Sequence, residues 1–377
     1  METATANAET IALLQDLVRI PSISPTLAPD EGTGEQAVAE FAAQWLNQRG
    51  VEAWLEPVAP GRPNVVGRVG RGHGPTLILY GHLDTVQVSN MTVPPFSAHI
   101  DGNRLYGRGA FDMKGGVAAA MSAAVALARS GGVDGTLLLA LVCDEEHSSI
   151  GAQDYVKRHQ ADGCILAEPT DGELVTGHRG FAWVDVLVKG HAAHGSMFDV
   201  GISAVTQAGR LLTALDDFDR TVLRNRTHPL LGPASMHPSM INGGVGLSTY
   251  APQCLVQLEW RTLPGQDEVQ VVTETRALVA QAGVAAEVTC TLYRPPMVCP
   301  PDARVHRMLR EVLGPDVPGG ASRAWLDAAL FDAAGIPSVV YGPDGDGAHA
   351  AVEWVDVNSV LRCAAVYRQA AERFCGK

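Results

Sequence analysis

The sequence predicts an α/β fold: a mainly parallel sheet with helices on both faces, into which a smaller ferredoxin-like α+β domain is inserted. Three observations lead there. From about residue 10 to 177, short and fully apolar strands alternate with helices, the pattern of a sheet covered on both sides. From 178 to 290 the order becomes β-α-β-β-α-β, which can close as a self-contained domain. After about 290 the first texture returns, so one domain is expected over 1–177 and 291–377, and an inserted one over 178–290.

The elements follow in order. An amphipathic helix over 10–19 is stopped by Pro21. Helices are expected at 34–49 and 116–129, and apolar strands at 63–69, 76–80, 136–142 and 163–167. The insert opens with the strand "GFAWVDVLVKG" and the helix "ISAVTQAGRLLTALDDF". Strands at 238–253 and 254–264, a helix at 267–283 and a strand at 285–293 complete it. Helices at 302–313, 325–334 and 356–374 and a strand at 337–341 close the chain.

A chain of 377 residues is long enough for two domains and a substantial core. Its net charge of −13 leaves no basic excess to neutralise phosphates, which argues against nucleic acid as a partner. Seven scattered cysteines contain no C-x-x-C, so reduced thiols are expected rather than a zinc ribbon or a disulfide framework. The N-terminal stretch lacks a basic start followed by an apolar core. No stretch approaches the roughly 20 apolar residues that cross a bilayer. A cytoplasmic location without a membrane partner is the expectation.

In an open α/β sheet, ligands bind beyond the carboxyl ends of the strands. "TLILY" runs into Gly81-His82-Leu83-Asp84, "TLLLALVC" into Asp144-Glu145-Glu146, and "CILA" into Glu168. "IPSVVYGPDGDGA" leads to His349, and "LYGRGAFDMKGG" sets Asp112 in a glycine-rich loop before an alanine-rich helix. Any one of these alone reads as an ordinary solvated loop residue; their convergence carries the signal. Three carboxylates gathered without cations would repel one another. Two divalent cations bring +4 against their −3, and two imidazoles with carboxylates and no thiolate suit Zn2+, with Co2+ or Mn2+ as substitutes. Such ions sit about 3.5–4 Å apart, close enough for one Asp to bridge them.

"GHLDTV", "GRGAFDMKGG", "DEEHSSIGA", "AEPT" and "GAHAAVEWV" resemble, in order, the motifs of the dinuclear zinc amidohydrolase and peptidase family. That family includes acetylornithine deacetylase, succinyl-diaminopimelate desuccinylase, aminoacylase and glutamate carboxypeptidase. The resemblance implies an N-deacylase of amino acids, with a carboxypeptidase or dipeptidase as the alternative and a silent binding protein a remoter one. It implies His82 and Glu168 on the first zinc, Asp112 as the bridge, and Glu146 and His349 on the second. Asp84 would orient His82, Glu145 would be the general base, and Glu353 would support the His349 loop. An extended chain at 145–146 would point these two carboxylates in opposite directions.

The inserted domain would be a lid and dimerisation domain. By the same resemblance, His194 of "AHGS" would reach across a homodimer to help hold the oxyanion. Arg261 of "EWRTLPG" would clamp a substrate carboxylate, and Arg179 and Asn242 would touch substrate. His191 reads as a surface residue, and Asp327 receives no role because Leu326 stands where relatives carry Thr. "GRVGRGHGP" reads as a turn, "DGDG" lacks the rest of a calcium loop, and no G-x-S-x-G is present.

Overall fold

A computed structural model describes residues 2–376. The chain divides into two compact units. One runs to Thr176 and continues over Cys299–Gly320 and from Leu330 onward; the other comprises Gly177–Val298 and Ala321–Ala329. The insert therefore returns at Val298 rather than at 290, and it takes in 321–329, which the sequence pattern assigned to the larger domain. Packing explains the difference. The Trp325 ring meets Phe181 edge-on at 5.9 Å, and its indole N–H donates to Pro295 O at 3.0 Å. An aromatic anchor outweighs the local helical pattern.

The sheet of the larger unit runs in the order Glu52–Ala59, Arg62–Gly70, Thr136–Val142, Thr76–His82, Gly163–Leu166, Ser338–Val340 and then Leu174–His178, whose last two residues belong to the smaller unit. Its central pairings are parallel and its flanks antiparallel. Every residue of Thr136–Val142 is buried, which is why that strand shows no polar alternation. Register lines up the strand ends: His82 lies opposite Val142, and Tyr80 opposite Leu166. His82 and Glu168 each lie two residues beyond that Tyr80–Leu166 pair.

The helix Gly115–Arg129 packs against Val357–Cys375 and Glu2–Arg19. With the turn before it, Ala110–Arg129 is long and apolar enough to cross a membrane, contrary to the sequence reading; 83% of an apolar 18-residue stretch within it is buried inside the protein, as in a core helix. Gly116 permits the closest approach in this region. A β-carbon there would fall 1.9 Å from Ala167 O, so only glycine lets the helix start sit on the strand end before Glu168. A small antiparallel sheet of His99–Asp101, Arg104–Tyr106, Trp354–Asp356 and Gly345–Asp346 brings the "GRGAFD" segment beside the His349 loop.

The smaller unit has the predicted β-α-β-β-α-β order. Its sheet runs Ser235–Gly243, Gln253–Thr262, Gly180–Lys189, Ala286–Arg294, antiparallel throughout. Gly180–Lys189 buries alternate residues, and Ala182, Val184, Val186 and Val188 enter a core shared with Ala204–Thr221 and Glu268–Gln281. The strand expected over 238–253 stops at Gly243, and a loop fills the rest.

Candidate metal centre

Five side chains from five separate segments converge at the carboxyl edge of the larger unit's sheet. His82 is the last residue of Thr76–His82, Glu168 follows Gly163–Leu166, and Glu146 follows Thr136–Val142. Asp112 lies in the short π-helical turn Ala110–Lys114, whose Asp112–Met113 peptide bond is cis. His349 lies in the loop before Trp354–Asp356 at φ 61, left-handed for a residue with a β-carbon.

Asp112 faces both ways. Its Oδ1 is 3.2 Å from His82 Nε2, and its Oδ2 is 3.4 Å from His349 Nε2. Beyond His82 stands Glu168 Oε2 at 3.9 Å; beyond His349 stands Glu146 Oε2 at 2.9 Å. The cluster thus divides into two donor sets that share one carboxylate. Two ligands on one tetrahedral zinc lie about 3.3–3.5 Å apart, given metal–ligand bonds of about 2.0–2.2 Å. The observed spacings bracket that value, so the residues fit a pair of divalent cations. His82, Asp112 and Glu146 offer ligand atoms all within 4.8 Å of one another, as do His82, Glu145 and Glu168.

Electrostatics give the same answer. Burial, the largest influence on His82, pushes its pKa down, but Glu168, Asp112, Asp84 and Glu145 together raise it well above the ordinary imidazole value. Hydrogen bonds with Asp112 and then Glu146 lift His349 to about 10. Burial acts to raise Asp112, and the His349 and His82 rings outweigh it and hold that carboxyl below the usual range. Burial and then the Asp112 charge push Glu146 up to about 7. The gathered carboxylates favour positive charge in the pocket, which divalent cations on these side chains would supply.

The supporting contacts differ from expectation in two respects. His82 Nδ1 lies 3.0 Å from the Asp84 backbone carbonyl, nearer than the Asp84 carboxylate at 3.6 Å. That carboxylate instead accepts the N–H of Glu145 at 3.0 Å on one oxygen and of Glu146 at 3.1 Å on the other. Consecutive N–H groups aimed at one carboxylate require a turn, and 145–148 is a turn rather than extended chain. The alternation argument for Glu145 and Glu146 therefore does not hold; Asp84, fully buried, orders their backbone.

Glu353 is also fully buried. Its carboxylate accepts the N–H groups of Gly109, Phe111 and Asp112 at 3.0–3.1 Å and meets Arg108 Nη1 at 2.7 Å. Arg108 continues to Ala350 O and Asn90 Oδ1, and Asn90 donates to His349 O at 2.9 Å. One network thus ties the Asp112 loop to the His349 loop. Sequence reasoning missed Arg108 and Asn90; Arg108 stands inside "GRGAFD", but neither residue type nor spacing marks it as a clamp.

The residues expected to meet substrate all belong to the smaller unit, where they contact their own neighbours. His194 is exposed, its Nδ1 2.9 Å from Ser196 Oγ. Arg261 pairs with Glu259 at 2.7 Å and lies 5.5 Å from the Phe181 ring centre. Arg179 donates to Pro233 O at 3.2 Å, and Asn242 is exposed on the outer strand Ser235–Gly243.

Comparison with known proteins agrees with this geometry. The model of peptidase family M20/M25/M40 matches residues 78–373. The chain belongs to this family. It is 31% identical over 367 residues to an acetylornithine deacetylase of Myxococcus xanthus, across 95% of this chain and 93% of that protein. It is 28% identical to an acetylornithine deacetylase of Proteus mirabilis, across 97% of this chain and 96% of the other. Among solved structures, the M20 family metallo-carboxypeptidase Sso-CP2 of Sulfolobus solfataricus superposes with a TM-score of 0.79 at 20% identity, covering 97% of this chain and 99% of that one. Aminopeptidase PepT of Bacillus cereus gives 0.81 at 18% identity, covering 98% and 99%. The M20 chain is a metal-dependent amide hydrolase.

Proposed function

We propose that this M20 chain removes the acyl group from N-acyl amino acids by hydrolysing their amide bond. The observation that carries the metal chemistry is the two-sided Asp112, each carboxylate oxygen turned to a different imidazole. The choice of substrate is supported by likeness to acetylornithine deacetylases over nearly the whole chain. In this reading His82, Asp112 and Glu168 would hold one cation, and Asp112, Glu146 and His349 the other, with Zn2+ the expected metal. When bound, the pair supplies Lewis acidity and an acidified water. Glu145 takes the proton from the attacking water and delivers it to the leaving nitrogen. Asp84 holds the Glu145 backbone so that this carboxylate stays aimed. Arg261, with Arg179 and Asn242 beside the same strands, clamps the substrate carboxylate once Arg261 exchanges Glu259 for it.

The lid domain pairs two copies into a homodimer, in which His194 of one protomer donates to the oxyanion in the partner. Ser235–Gly243 is one of the two outer strands of its sheet, paired on one side, with Met240, Ile241, Val245 and Leu247 exposed along and just after it. An open edge with apolar side chains is a template for a second copy. The seven cysteines, all unbridged, suit the reducing cytoplasm.

A hydrolysis screen tests the substrate assignment. N-acetyl-ornithine, N-succinyl-diaminopimelate, other N-acetyl amino acids and dipeptides are compared with zinc and with cobalt. Faster turnover of an N-acyl amino acid is expected; dipeptides turned over faster would reassign the chain as a peptidase.

A further inference from the structure

Arg62, at the start of Arg62–Gly70, is buried, although a guanidinium ordinarily keeps to water. Its Nε donates to Glu35 Oε2 at 2.8 Å and its Nη2 to Glu35 Oε1 at 2.5 Å. Nη1 donates to Thr26 Oγ1 at 2.8 Å and lies 2.7 Å from Asp144 Oδ1; Nη2 also reaches Ser24 Oγ at 3.3 Å. Glu35 closes the circuit by accepting the Asp144 N–H at 3.3 Å. Asp144 is thus gripped through both its backbone and its carboxylate. Its other oxygen accepts the Ser148 N–H at 3.2 Å, and its carbonyl the Ser149 N–H at 2.6 Å.

This corner is where the chain leaves the central strand and turns into Glu145-Glu146. Asp144 sits at φ 65, a conformation that a residue with a β-carbon keeps only when its surroundings over-determine it. A buried ion pair is weak evidence of stability, since well-packed apolar side chains often do as well. A guanidinium adds a rigid fork of donors that fixes two carboxylates relative to each other. We propose that Arg62 is a positioning residue: with Glu35 it locks the Asp144 corner, so that Glu145 and Glu146 project into the metal centre. The inference rests on the proposed roles of Glu145 as base and Glu146 as metal ligand.

Arg62→Lys keeps the charge and loses the fork. Zinc titration followed by calorimetry is expected to show one of two sites weakened about 10–100-fold, the usual effect of removing a partner that orients a ligand, with the other unchanged. On the best substrate of the screen, kcat falls by a similar factor while KM holds. Glu35→Gln, which leaves Arg62 its contact with Asp144, is expected to give a smaller defect of the same pattern, and it decides the matter if Arg62→Lys does not fold. Wild-type zinc affinities in the folded variants, equal weakening at both sites, or a change in KM alone would overturn the assignment. If the wild-type chain hydrolyses none of the substrates, the functional reading fails, and the zinc titration still decides the role of Arg62.

Discussion

Two histidines, one in each unit, are equally hidden from solvent: His82 in the larger and His178 in the smaller. Burial drives both toward the neutral form, yet they end on opposite sides of the ordinary value. Around His82 the carboxylates of Glu168, Asp112, Asp84 and Glu145 overcome burial and raise its pKa. Around His178 stand the Arg179 carbonyl at 3.0 Å and the Trp325 ring at 6.0 Å; burial wins, and the pKa falls to about 4. The same residue type at the same depth is a cation-gathering group in one place and a neutral core group in the other. Depth alone therefore does not mark a functional histidine; the charges converging on it do.

The strongest way to break this contrast is to remove the shared carboxylate. Asp112→Ala is expected to abolish hydrolysis and to lower bound zinc at both sites, read by metal analysis after dialysis, whereas His178→Gln leaves zinc content and turnover near wild type. Next, Glu145→Gln should keep both metals and reduce kcat by about 10²–10⁴-fold, the range for losing a general base. Retention of full kcat would remove Glu145 from the mechanism.

His178 also makes a prediction about pH. Its folded pKa of about 4 lies below the unfolded value of about 6.5, so the unfolded chain takes up the proton first. Its contribution is complete above pH 6.5 and is lost as pH falls toward 4, to about 3 kcal/mol in all. Urea unfolding across that window should show a shallower acid loss in His178→Gln than in wild type. The smallest effect is expected from Asp84→Asn, which retains one acceptor oxygen for the Glu145 and Glu146 N–H groups. About 10–100-fold in kcat/KM with little change in the Thr76–His82 strand is the expected result. A larger loss, with His82 displaced in the variant's structure, would restore His82 as the principal charge of Asp84.

Much of this was legible in the chain itself. Thr136–Val142 begins and ends where its apolar run does, and Val357–Cys375 and Gly115–Arg129 lie within a residue of their expected limits. The less visible elements are short or half-exposed. Glu52–Ala59 is an edge strand with one exposed or half-exposed residue after another, and Ile150–Arg158 is only nine residues long. The strands at 99–101, 104–106, 345–346 and 354–356 are only two or three residues long, and the two hairpins they form are joined by pairing of 104–106 with 354–356, about 250 residues away, which no local window contains.

By itself the sequence determined that polar residues follow apolar strands and that three carboxylates and two imidazoles stand in a fixed order, because strand periodicity and residue chemistry are local properties. The tertiary structure decided which oxygen of Asp112 faces which ring, that the Asp84 carboxylate serves two backbone N–H groups, that Arg62 meets Asp144, and that Arg108 reaches Glu353 while Asn90 reaches His349. Those are directional contacts of about 3 Å between segments up to 259 residues apart. Hydrogen-bond energy falls away within a fraction of an ångström and a few tens of degrees, so only the folded chain specifies them.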